Sequence, residues 1–397
     1  MKILFLYADD TYFWRNRLSL AREAIGQGFE VVLLTPVSNY LSEIEKVGIR
    51  VIPWNLSRKS VNPFRELPSL IQVLRVYRRE RPDVVQHETL KAVIHGGIAA
   101  RLCGNKPSVN VVCGLGSIFT RPTAKMKFLR AILMRILPVV FANRNSRVVF
   151  MNEDNRKLLL SGGAFRAEQA SMIPGVGVCL ERFVEKPEPG GVPIVLLPSR
   201  MLWEKGVGEF VAAATELRRE GISARFVLAG TPDIDNPGFI PQEQLKEWAR
   251  SGAVEWWGQC DDMPSVYTKS TIVCLPSYYG EGLPNVLTEA GACGRAVVTT
   301  DVAGCREVVR NEVNGLLVPP RDSKALGAAI RRLLDDAKLR KQLAAGGRQR
   351  AEREFASEVI LARTLDLYGA VLGGKWPTGP GTDARASKAA AGFFSRV

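Results

Sequence analysis

The sequence predicts an α/β chain of two doubly wound domains, each a parallel sheet covered by helices on both faces. Short apolar runs rich in β-branched residues alternate with longer helical patterns over most of the 397 residues. A chain of this length exceeds what one ordinary hydrophobic core accommodates. The segment "EKPEPGGVP" at 185–193 is rich in Pro and Gly and separates two similar halves, so it is predicted to be an interdomain linker.

Each half supplies its own set of strands. In the first half, strands are predicted at 3–7, 31–35, 50–53, 83–86, 108–113 and 147–151, and helices at 13–27, 63–81 and 89–102. In the second half, strands are predicted at 193–198, 224–229, 254–257, 272–276, 296–300 and 315–318, and a last helix at 351–372. We therefore expect an N-terminal domain over 1–184, a C-terminal domain over 185–372 whose final helix is able to pack back on the first, and a disordered tail over 373–397. Two such domains place a ligand cleft between the carboxyl ends of their sheets.

Composition restricts the class of protein. Apolar residues make up 46% and charged residues 24%, as in ordinary folded soluble proteins. Seven cysteines without a C-x-x-C pair indicate reduced thiols, and two histidines argue against a histidine-rich metal centre. The opening "MKILFLYADD" is too short an apolar run for a signal peptide, and no run of roughly 20 apolar residues exists to span a membrane. We expect a cytoplasmic protein.

The positive charge is concentrated in the first half. Residues 1–190 contain 28 Lys and Arg against 16 Asp and Glu, whereas the remaining residues contain 26 against 24. Nucleic acid, anionic lipid or a phosphorylated substrate can each use such a field, and a solvated basic surface without a ligand is the fourth alternative. No aromatic-basic motif supports nucleic acid.

Two common nucleotide-binding motifs are missing. The turn after the first strand reads "ADDTYFWRNR" rather than G-x-G-x-x-G, which disfavours a dinucleotide cofactor. No G-x-x-x-x-G-K-[ST] occurs either, which excludes a P-loop nucleotidase. We expect no cofactor.

The stretch "YYGEGLPNVLTEAGACG" at 278–294 predicts an anion site at a helix start. Pro284 suits the first turn of a helix that follows the strand "IVCLP". The backbone amides of Leu283, Asn285 and Val286 would then be unpaired donors at the positive end of that helix, an arrangement that binds phosphate.

Two acids and two cations flank this helix start. Glu281 precedes the helix and Glu289 lies on it, with seven residues between them, while Arg200 and Lys205 follow the strand that ends at 198. A ligand with phosphates in its middle and hydroxyl groups at both ends, such as a nucleotide sugar, suits this arrangement. Taken singly, each of the four residues is more typical of an ordinary charged surface than of a binding site.

Together these residues resemble the retaining glycosyltransferases of family 4, whose GT-B architecture has two facing doubly wound domains. The resemblance covers nearly the whole chain and is densest from "PSRMLWEKG" through "PSYYGEGLPNVLTEAGACGRAVVTTDVAGCREVVRNEVNGLLVPP". It implies that Arg200 and Lys205 hold the donor diphosphate, that Glu281 binds hydroxyls of the transferred sugar and that Glu289 binds the ribose. It also implies donor contacts from the segment Gly282, Leu283, Pro284, Asn285 and Val286.

The family reaction, as the resemblance implies, retains the anomeric configuration and gives an α-linkage. The acceptor attacks from the face that the leaving group departs from, through an oxocarbenium-like state, and the leaving phosphate helps to deprotonate the acceptor. Neither an enzymic nucleophile nor a metal is needed, so positioning and electrostatic stabilisation of the leaving diphosphate are the main catalytic effects. UDP-linked donors are favoured over GDP-mannose by resemblance alone.

The phrases "GCREVV", "SRKSVNPFREL", "PDVVQHETLKAVIHGGIAARLCG" and "GLGSIFT" resemble a narrower group that extends glycans on undecaprenyl diphosphate. This implies a polyprenyl-diphosphate-linked saccharide as the acceptor. A soluble acceptor is the first alternative. A non-hydrolysing nucleotide-sugar epimerase is the second, although epimerases lack this glutamate spacing in the same phrase.

Candidate acceptor-binding residues follow strands of the first half. They are His87, Asp9, Asp10, Gly114 and Gly116. His87 is alternatively a hydrogen-bonded structural histidine, and the glycine loop is alternatively a plain turn. Many family members have a histidine in a T-x-H-G-like segment here, whereas this chain has Cys113 and Gly114, so the role of that histidine cannot be transferred.

Two acidic pairs imitate metal motifs. "DID" at 233–235 resembles D-x-D, but its place in a loop with "NPG" favours a solvated turn. Asp261 and Asp262 suit a helix's first turn, where the dipole favours acids. We expect no metal site.

The stretch 121–147 combines basic residues with an apolar stripe. Lys127, Arg130 and Arg135 accompany apolar residues at helical spacing, namely Phe128, Leu129, Ile132, Leu133, Ile136 and Leu137. Such a helix either lies on an anionic membrane surface or packs on its own sheet. Because the inferred acceptor is a lipid diphosphate, we favour peripheral contact with the inner face of the cytoplasmic membrane.

Overall fold

The computed structural model describes residues 1–57, 63–120 and 123–377, with the backbone alone at 63, 64, 117 and 120. The chain forms two compact units. The first is Met1–Val176 together with the chain from Leu361 onward, and the second is Gly177–Ile360. The division falls before the predicted boundary at 184, and most of the predicted tail, from 378, lies outside the described residues.

The segment predicted to be a linker, 185–193, is part of the second unit. The buried guanidinium of Arg295 donates to the carbonyl oxygen of Lys186. The guanidinium of Arg340 donates to Glu188 at 2.6 and 2.9 Å. Because these contacts tie the segment to the second unit, the change of unit occurs earlier in the chain than its Pro and Gly content suggests.

The first unit is built on a parallel sheet. Its strands are β1 (Lys2–Tyr7), β2 (Glu30–Thr35), β3 (Arg50–Pro53), β4 (Val84–Glu88), β5 (Ser108–Val112), β6 (Ser146–Phe150) and β7 (Ala170–Met172). Its helices are α1 (Asp10–Asn16), α2 (Leu18–Gly26), α3 (Leu41–Glu45), α4 (Pro63–Glu80), α5 (Leu90–Leu102), α6 (Ser117–Thr120), α7 (Ala124–Val140) and α8 (Glu153–Ser161). Over the described residues, the strand order is β3-β2-β1-β4-β5-β6-β7.

The second unit repeats the plan. Its strands are β8 (Ile194–Pro198), β9 (Arg225–Ala229), β10 (Glu255–Gly258), β11 (Ile272–Leu275), β12 (Ala296–Thr300) and β13 (Leu316–Val318). Its helices are α9 (Val207–Arg219), α10 (Gln242–Arg250), α11 (Met263–Lys269), α12 (Asn285–Ala292), α13 (Cys305–Val308), α14 (Ser323–Asp335) and α15 (Ala337–Arg350), and α16 (Ser357–Val371) passes from this unit to the first. The parallel strands lie in the order β10-β9-β8-β11-β12-β13.

Both sheets reverse their strand order at a corresponding point. The reversal lies between β1 and β4 in the first unit and between β8 and β11 in the second. In doubly wound sheets, ligands bind beside the carboxyl ends of the strands at this switch point. The predicted fold class is confirmed, and every predicted strand is present within a few residues of its predicted bounds, although β7 was not predicted.

The apolar strands are buried on both faces, as the continuous apolar runs predict. In β8, Val195 and Leu197 pack in one hydrophobic cluster, whereas Ile194 and Leu196 pack in another. Alternate side chains of a strand point to opposite faces, so the two clusters lie on the two sides of the sheet. Helices therefore cover the second sheet on both sides.

The helix predicted at 13–27 is two helices, α1 and α2. Arg17 joins them with a non-helical backbone, at φ −129° and ψ −2°. Its guanidinium turns inward and donates to the buried carboxylate of Glu88 at 2.8 and 2.9 Å. The break in the helix thus occurs where Arg17 forms a buried ion pair with Glu88. Helical periodicity cannot predict this break, because the partner lies far away in the sequence.

Gly206 supplies a test of how the second unit is assembled. Its φ is +74°, and a Cβ on it would lie 2.0 Å from the carbonyl oxygen of Pro276. Gly206→Ala is expected to lower the free energy of unfolding, measured by urea titration, by at least ~3 kcal/mol, from left-handed strain plus steric overlap.

Gly221→Ala is the matched control. Gly221 has a φ of +79°, yet a Cβ on it would meet nothing within 4 Å. This substitution should cost only the backbone strain, about 1–2 kcal/mol. Equal losses in the two variants would contradict the close approach of Gly206 to Pro276.

Candidate active site

An ion pair joins the segments that follow β8 and β11, the two strands at the switch point of the second unit. Nζ of Lys205 lies 2.5 Å from Oε1 of Glu281, with side chains only 16% and 14% exposed. The Ser277 hydroxyl donates to the same Oε1 at 2.9 Å. The predicted cation and acid, far apart in sequence, therefore meet where doubly wound folds bind ligands.

Backbone contacts hold these two segments together. The Tyr278 N–H donates to the carbonyl oxygen of Glu204 at 3.1 Å. One residue beyond Lys205, Gly206 packs its Cα against the Pro276 carbonyl so closely that no larger residue fits. The position of the ion pair is thus set by main-chain geometry on both sides.

The segment after β12 supports Glu281 from the other direction. The Glu281 N–H donates to the carbonyl oxygen of Ala303 at 2.9 Å. Gly304 has a φ of +81°, and a Cβ on it would lie 2.7 Å from the carbonyl oxygen of Glu281 and 2.8 Å from that of Gly282. Three neighbouring strands therefore contribute to fixing the Glu281 backbone.

Helix α12 begins directly after this loop. Pro284 is its N-cap residue, at φ −77° and ψ 109°, rather than a first-turn residue as predicted. The Leu287 N–H donates to the Pro284 carbonyl oxygen at 3.1 Å. Helix geometry leaves the earlier amides of Asn285 and Val286 without intrahelical acceptors, at the positive end of the helix dipole. This end of α12 can accept an anion, as the sequence predicts.

Glu289 lies in the second turn of α12 and is half-buried. The Tyr267 hydroxyl donates to its Oε2 at 2.8 Å. Burial raises the pKa of Glu289 to about 7, against the opposing effects of the Tyr267 hydroxyl and of Arg182. Its protonation state therefore changes within the physiological pH range.

Arg200 is the most accessible of the predicted cations. Its side chain is 60% exposed and its Nη1 lies 2.6 Å from Oδ2 of Asp233. Asp233 belongs to the "DID" segment that the sequence assigns to a solvated turn. In the described part of the chain, no group of three or more His, Cys, Asp or Glu side chains is placed to hold a metal ion.

The sequence did not assign to this site three residues that shape it. Ser277 contacts Glu281, Asp233 pairs with Arg200, and the Arg321 guanidinium lies 4.4 Å from the ring centroid of Tyr278. The sequence does indicate a position near the site for Ser277, because this residue directly follows the strand "IVCLP". Asp233 and Arg321 come from other loops, so only the folded chain brings them here.

His87 is placed in the core of the first unit. Its ring is fully buried, with Nε2 2.8 Å from the Tyr77 hydroxyl and Nδ1 2.6 Å from Oδ1 of Asn110. Burial lowers its pKa to about 4, although the bond to Asn110 acts in the opposite direction. Both nitrogens are engaged, which supports the structural alternative rather than acceptor binding.

The other first-unit candidates lie at the carboxyl edge of the sheet. Asp9 is the N-cap residue of α1 and accepts from the Thr11 N–H at 3.0 Å. Asp10 is buried and accepts from the N–H and hydroxyl of Ser38 at 2.6 and 2.5 Å. Gly114 is half-buried, and Gly116 is exposed with a φ of +65°. The two acids therefore have structural contacts of their own.

A surface pocket of about 610 Å³ lies elsewhere in the second unit. It is lined by Pro189, Gly190, Val192, Ile194, Arg225, Trp257 and Lys269. Ile194 and Arg225 are the first residues of β8 and β9, so the pocket lies at the amino edge of the sheet. It is therefore separate from the carboxyl-edge site.

Two family descriptions match the chain. "Glycosyl transferase 4-like" matches residues 2–144, in the first unit, and "Glycosyl transferases group 1" matches residues 192–336, in the second. The second match contains the Lys205–Glu281 pair and α12.

Full-length relatives agree with these matches. The chain is 31% identical to the N,N'-diacetylbacillosaminyl-diphospho-undecaprenol alpha-1,3-N-acetylgalactosaminyltransferase of Campylobacter jejuni, over 94% of this chain and 99% of that protein. It is 22% identical to the capsular polysaccharide biosynthesis glycosyltransferase CapM of Staphylococcus aureus, over 87% and 91%. It is 23% identical to the UDP-Gal:alpha-D-GlcNAc-diphosphoundecaprenol alpha-1,3-galactosyltransferase of Escherichia coli, over 78% and 81%.

Solved structures share the fold. The crystal structure of Anabaena Alr3699/HepE in complex with UDP superposes with a TM-score of 0.75 at 19% identity, covering 93% of this chain and all of that one. WaaG, a glycosyltransferase of lipopolysaccharide biosynthesis, superposes with a TM-score of 0.67 at 14% identity, covering 92% and 99%. At these identities the likeness concerns the fold.

The raised pKa of Glu289 gives a pH-dependent prediction. Because the folded protein binds this proton more tightly than the unfolded chain, the free energy of unfolding falls as pH rises from the ordinary value of 4.5 to about 7. Glu289→Gln removes the ionisation, so the variant should be more stable than the parent at pH 8 by thermal unfolding, with a smaller difference at pH 5.

The exposed residue Glu247, on α10, provides the control. Glu247→Gln should shift the unfolding temperature little and equally at both pH values. A Glu289→Gln variant with the same pH profile as the parent would show that Glu289 is already ionised with an ordinary pKa.

Proposed function

Because the chain belongs to family 4 of the retaining glycosyltransferases, which have the GT-B fold, we propose that it transfers a sugar from a UDP-sugar to a saccharide carried on polyprenyl diphosphate. The product is an α-linked sugar in a growing surface polysaccharide or glycan. The observation that carries the site assignment is the Lys205–Glu281 ion pair, 2.5 Å long, at the switch point of the second sheet. It places a cation and an acid beside the start of α12.

The donor diphosphate lies beside Lys205, Arg200 and the start of α12. Arg200 is exposed and its salt bridge with Asp233 is accessible, so exchanging that partner for a phosphate costs little. Lys205 then neutralises the diphosphate from one side, and the first amides of α12 donate to it from another. Glu281 binds hydroxyls of the transferred sugar, and Glu289, further along α12, binds the ribose hydroxyls.

The chemistry needs positioned charge rather than a nucleophile. The bond between the anomeric carbon and the diphosphate oxygen breaks, and negative charge grows on that oxygen as the sugar becomes oxocarbenium-like. Lys205, Arg200 and the α12 amides stabilise that charge. The acceptor hydroxyl attacks the same face and gives its proton to a leaving phosphate oxygen. Because main-chain contacts fix Lys205 and Glu281, little reorganisation is needed during the step.

The acceptor assignment rests on relatives. The Campylobacter jejuni and Escherichia coli proteins are named for acceptors on undecaprenyl diphosphate, and the first covers nearly the full length of this chain. The Staphylococcus aureus relative is named for capsular polysaccharide synthesis. A saccharide on a polyprenyl diphosphate is the acceptor class that the first two names share with the group that phrases in the first half of the sequence resemble.

A lipid-held acceptor requires the enzyme to work at a membrane surface, and α7 has a face that suits this. Leu133, Leu137 and Val140 pack into the core of the first unit. A second face of α7 is exposed. Its residues recur at intervals of three and four and are Lys125, Phe128, Ile132, Arg135 and Val139. Phe128 is 67% exposed. Apolar and basic side chains on one helical face fit the interface of an anionic bilayer.

No helix in the described part of the chain is long and apolar enough to cross a bilayer. We therefore propose peripheral contact, made by the exposed face of α7 at the inner surface of the cytoplasmic membrane. The excess of basic residues in residues 1–190 adds a long-range attraction to anionic lipid.

Cosedimentation tests this contact. The chain should sediment with phosphatidylglycerol vesicles, less at high salt, and Phe128→Asp should weaken binding on the order of 10-fold by removing apolar insertion and adding repulsion. Leu102→Asp is the control, since Leu102 is an exposed apolar residue at the end of α5, outside this face. Equal binding by Phe128→Asp and the parent would contradict the assignment to α7.

Transfer assays test the reaction and its site. With undecaprenyl-diphosphate-linked N-acetylglucosamine as acceptor and a panel of UDP- and GDP-sugars, we expect transfer from a UDP-sugar that persists in EDTA. Glu281→Gln and Lys205→Ala should each lower kcat at least ~100-fold with the circular dichroism spectrum unchanged, because each removes a contact to the reacting part of the donor.

Glu255→Gln is the matched control. Glu255 is bound to Arg225 at 2.7 Å in an exposed ion pair of the same unit, away from the proposed site. It should transfer at the parental rate. Near-parental rates for Glu281→Gln or Lys205→Ala would refute the site assignment, loss of activity in EDTA would refute metal independence, and transfer confined to soluble glycosides would refute the lipid-linked acceptor.

A further inference from the structure

The switch point of the first unit is organised around one buried carboxylate. Glu88, the last residue of β4, is fully buried. Its Oε2 accepts from the Tyr7 hydroxyl at 2.5 Å and from Nε of Arg17 at 2.8 Å. Its Oε1 accepts from the Tyr12 hydroxyl at 2.9 Å, from Nη2 of Arg17 at 2.9 Å and from the Cys113 thiol at 3.0 Å. Side chains at the end of β1, after β1 and after β5 thus converge on Glu88 at the end of β4.

The charges of this cluster cancel. Burial acts to raise the pKa of Glu88, but the bidentate Arg17 guanidinium outweighs it and holds the pKa below its ordinary value. Burial and the neighbouring carboxylate raise the pKa of both Tyr12 and Cys113. The phenol and thiol therefore keep their protons, and the cluster presents no net charge.

The direction of these protons determines what can bind. Tyr12 and Cys113 are half-buried, so they form the accessible side of the cluster, whereas Arg17 and Glu88 lie beneath them. A phenol has a single proton, and that of Tyr12 is donated to Glu88. The Tyr12 oxygen can then only accept a further hydrogen bond. A sugar hydroxyl can donate to it, whereas a diphosphate, which presents only acceptors, cannot.

Tyr7 bonds the same carboxylate as Tyr12 but is fully buried, and so closed to solvent. Its oxygen is already occupied by Nε2 of Gln86 at 2.9 Å, and Gln86 in turn accepts from the Tyr368 hydroxyl at 2.5 Å. Two tyrosines therefore bond one carboxylate, and of the two Tyr7 is fully buried whereas Tyr12 is half-buried, with its oxygen 3.8 Å from Sγ of Cys113.

The residue after Glu88 carries strain. Thr89 has φ 77° and ψ 151°, a conformation that β-branched residues rarely adopt. Its hydroxyl has no hydrogen-bond partner in the described part of the chain. Strained residues and unpaired buried hydroxyls are common at ligand sites. Both observations on Thr89 therefore support a ligand site at the carboxyl edge of the first sheet.

We propose that the Tyr12 hydroxyl accepts a hydrogen bond from a hydroxyl of the acceptor's terminal sugar, and that Glu88 and Arg17 are positioning residues that orient Tyr12 and Cys113. This inference rests on the proposed function, in which the donor contacts belong to the second unit and leave the first-unit switch point for the acceptor. It assigns a sugar subsite to Tyr12 and Cys113, not to His87.

Two tyrosine variants provide the test. Full-length parent, Tyr12→Phe and Tyr368→Phe are compared for calorimetric binding of undecaprenyl-diphosphate-linked N-acetylglucosamine in detergent, and for transfer to it. Tyr12→Phe should weaken binding and raise the acceptor KM on the order of 10-fold, with an unchanged donor KM, because one hydrogen bond polarised by a carboxylate is lost. Tyr368→Phe should lower the unfolding temperature without changing the acceptor KM, because Tyr368 donates to Gln86 and not to Glu88. If Tyr368→Phe is too unstable to purify, Tyr77→Phe, whose hydroxyl contacts His87, takes its place.

The outcomes separate this inference from the proposed function. Transfer by the parent with an unchanged acceptor KM in Tyr12→Phe would overturn the subsite and leave the reaction standing. Binding by the parent that Tyr12→Phe weakens, without transfer, would overturn the reaction and support the subsite. Equal effects of Tyr12→Phe and Tyr368→Phe, or no binding by the parent, would overturn the subsite.

Discussion

The close approach of Gly206 to the carbonyl oxygen of Pro276 is the constraint on which the candidate active site depends. It brings the segment after β8 against the segment after β11, two strands that are neighbours in the sheet but far apart in the chain. A Cβ at this position would force them apart and would separate Lys205 from Glu281. The hydrogen bond from Tyr278 to Glu204 and the support of Glu281 by Ala303 then add to a geometry that the glycine makes possible. The positions of the Lys205 and Glu281 side chains are therefore set by contacts of the main chain.

The fully buried carboxylate of Glu88 and the half-buried carboxylate of Glu289 have different hydrogen-bond donors around them. Glu88 receives five donors including a bidentate guanidinium, so its charge is compensated and its pKa is held low. Glu289 receives a single neutral hydroxyl from Tyr267, so burial dominates and its pKa rises to about 7. A compensated carboxylate is suited to orienting neighbours permanently. An uncompensated one is suited to accept further hydrogen bonds, such as those from ligand hydroxyls.

Both sheets use the same strand order, but neither has a glycine-rich phosphate loop at its first turn. In the second unit, the helix start that we propose for anion binding is that of α12, after β11, and lysine and arginine follow β8. In the first unit, Asp9, Asp10 and the aromatic side chains of α1 follow β1. The proposed diphosphate contacts thus belong to the second unit and the proposed sugar contact belongs to the first.

The sequence by itself determined the fold class and the positions of nearly all strands, and it supplied the four charged residues that we propose for the donor site. These follow from local properties: continuous apolar runs specify buried parallel strands, and the phrase around Glu281 and Glu289 is short and contiguous. Only the tertiary structure decided that Lys205 bonds Glu281 and that Arg200 pairs with Asp233. It also decided that 185–193 belongs to the second unit and that His87 is buried. Only the structure shows that Glu88 accepts hydrogen bonds from Tyr12, Arg17 and Cys113. Each of these depends on which residues of distant loops meet at the carboxyl edge of a sheet. Packing and strand order set such pairings, and the free energy of a buried charge depends on partners that no local pattern reveals.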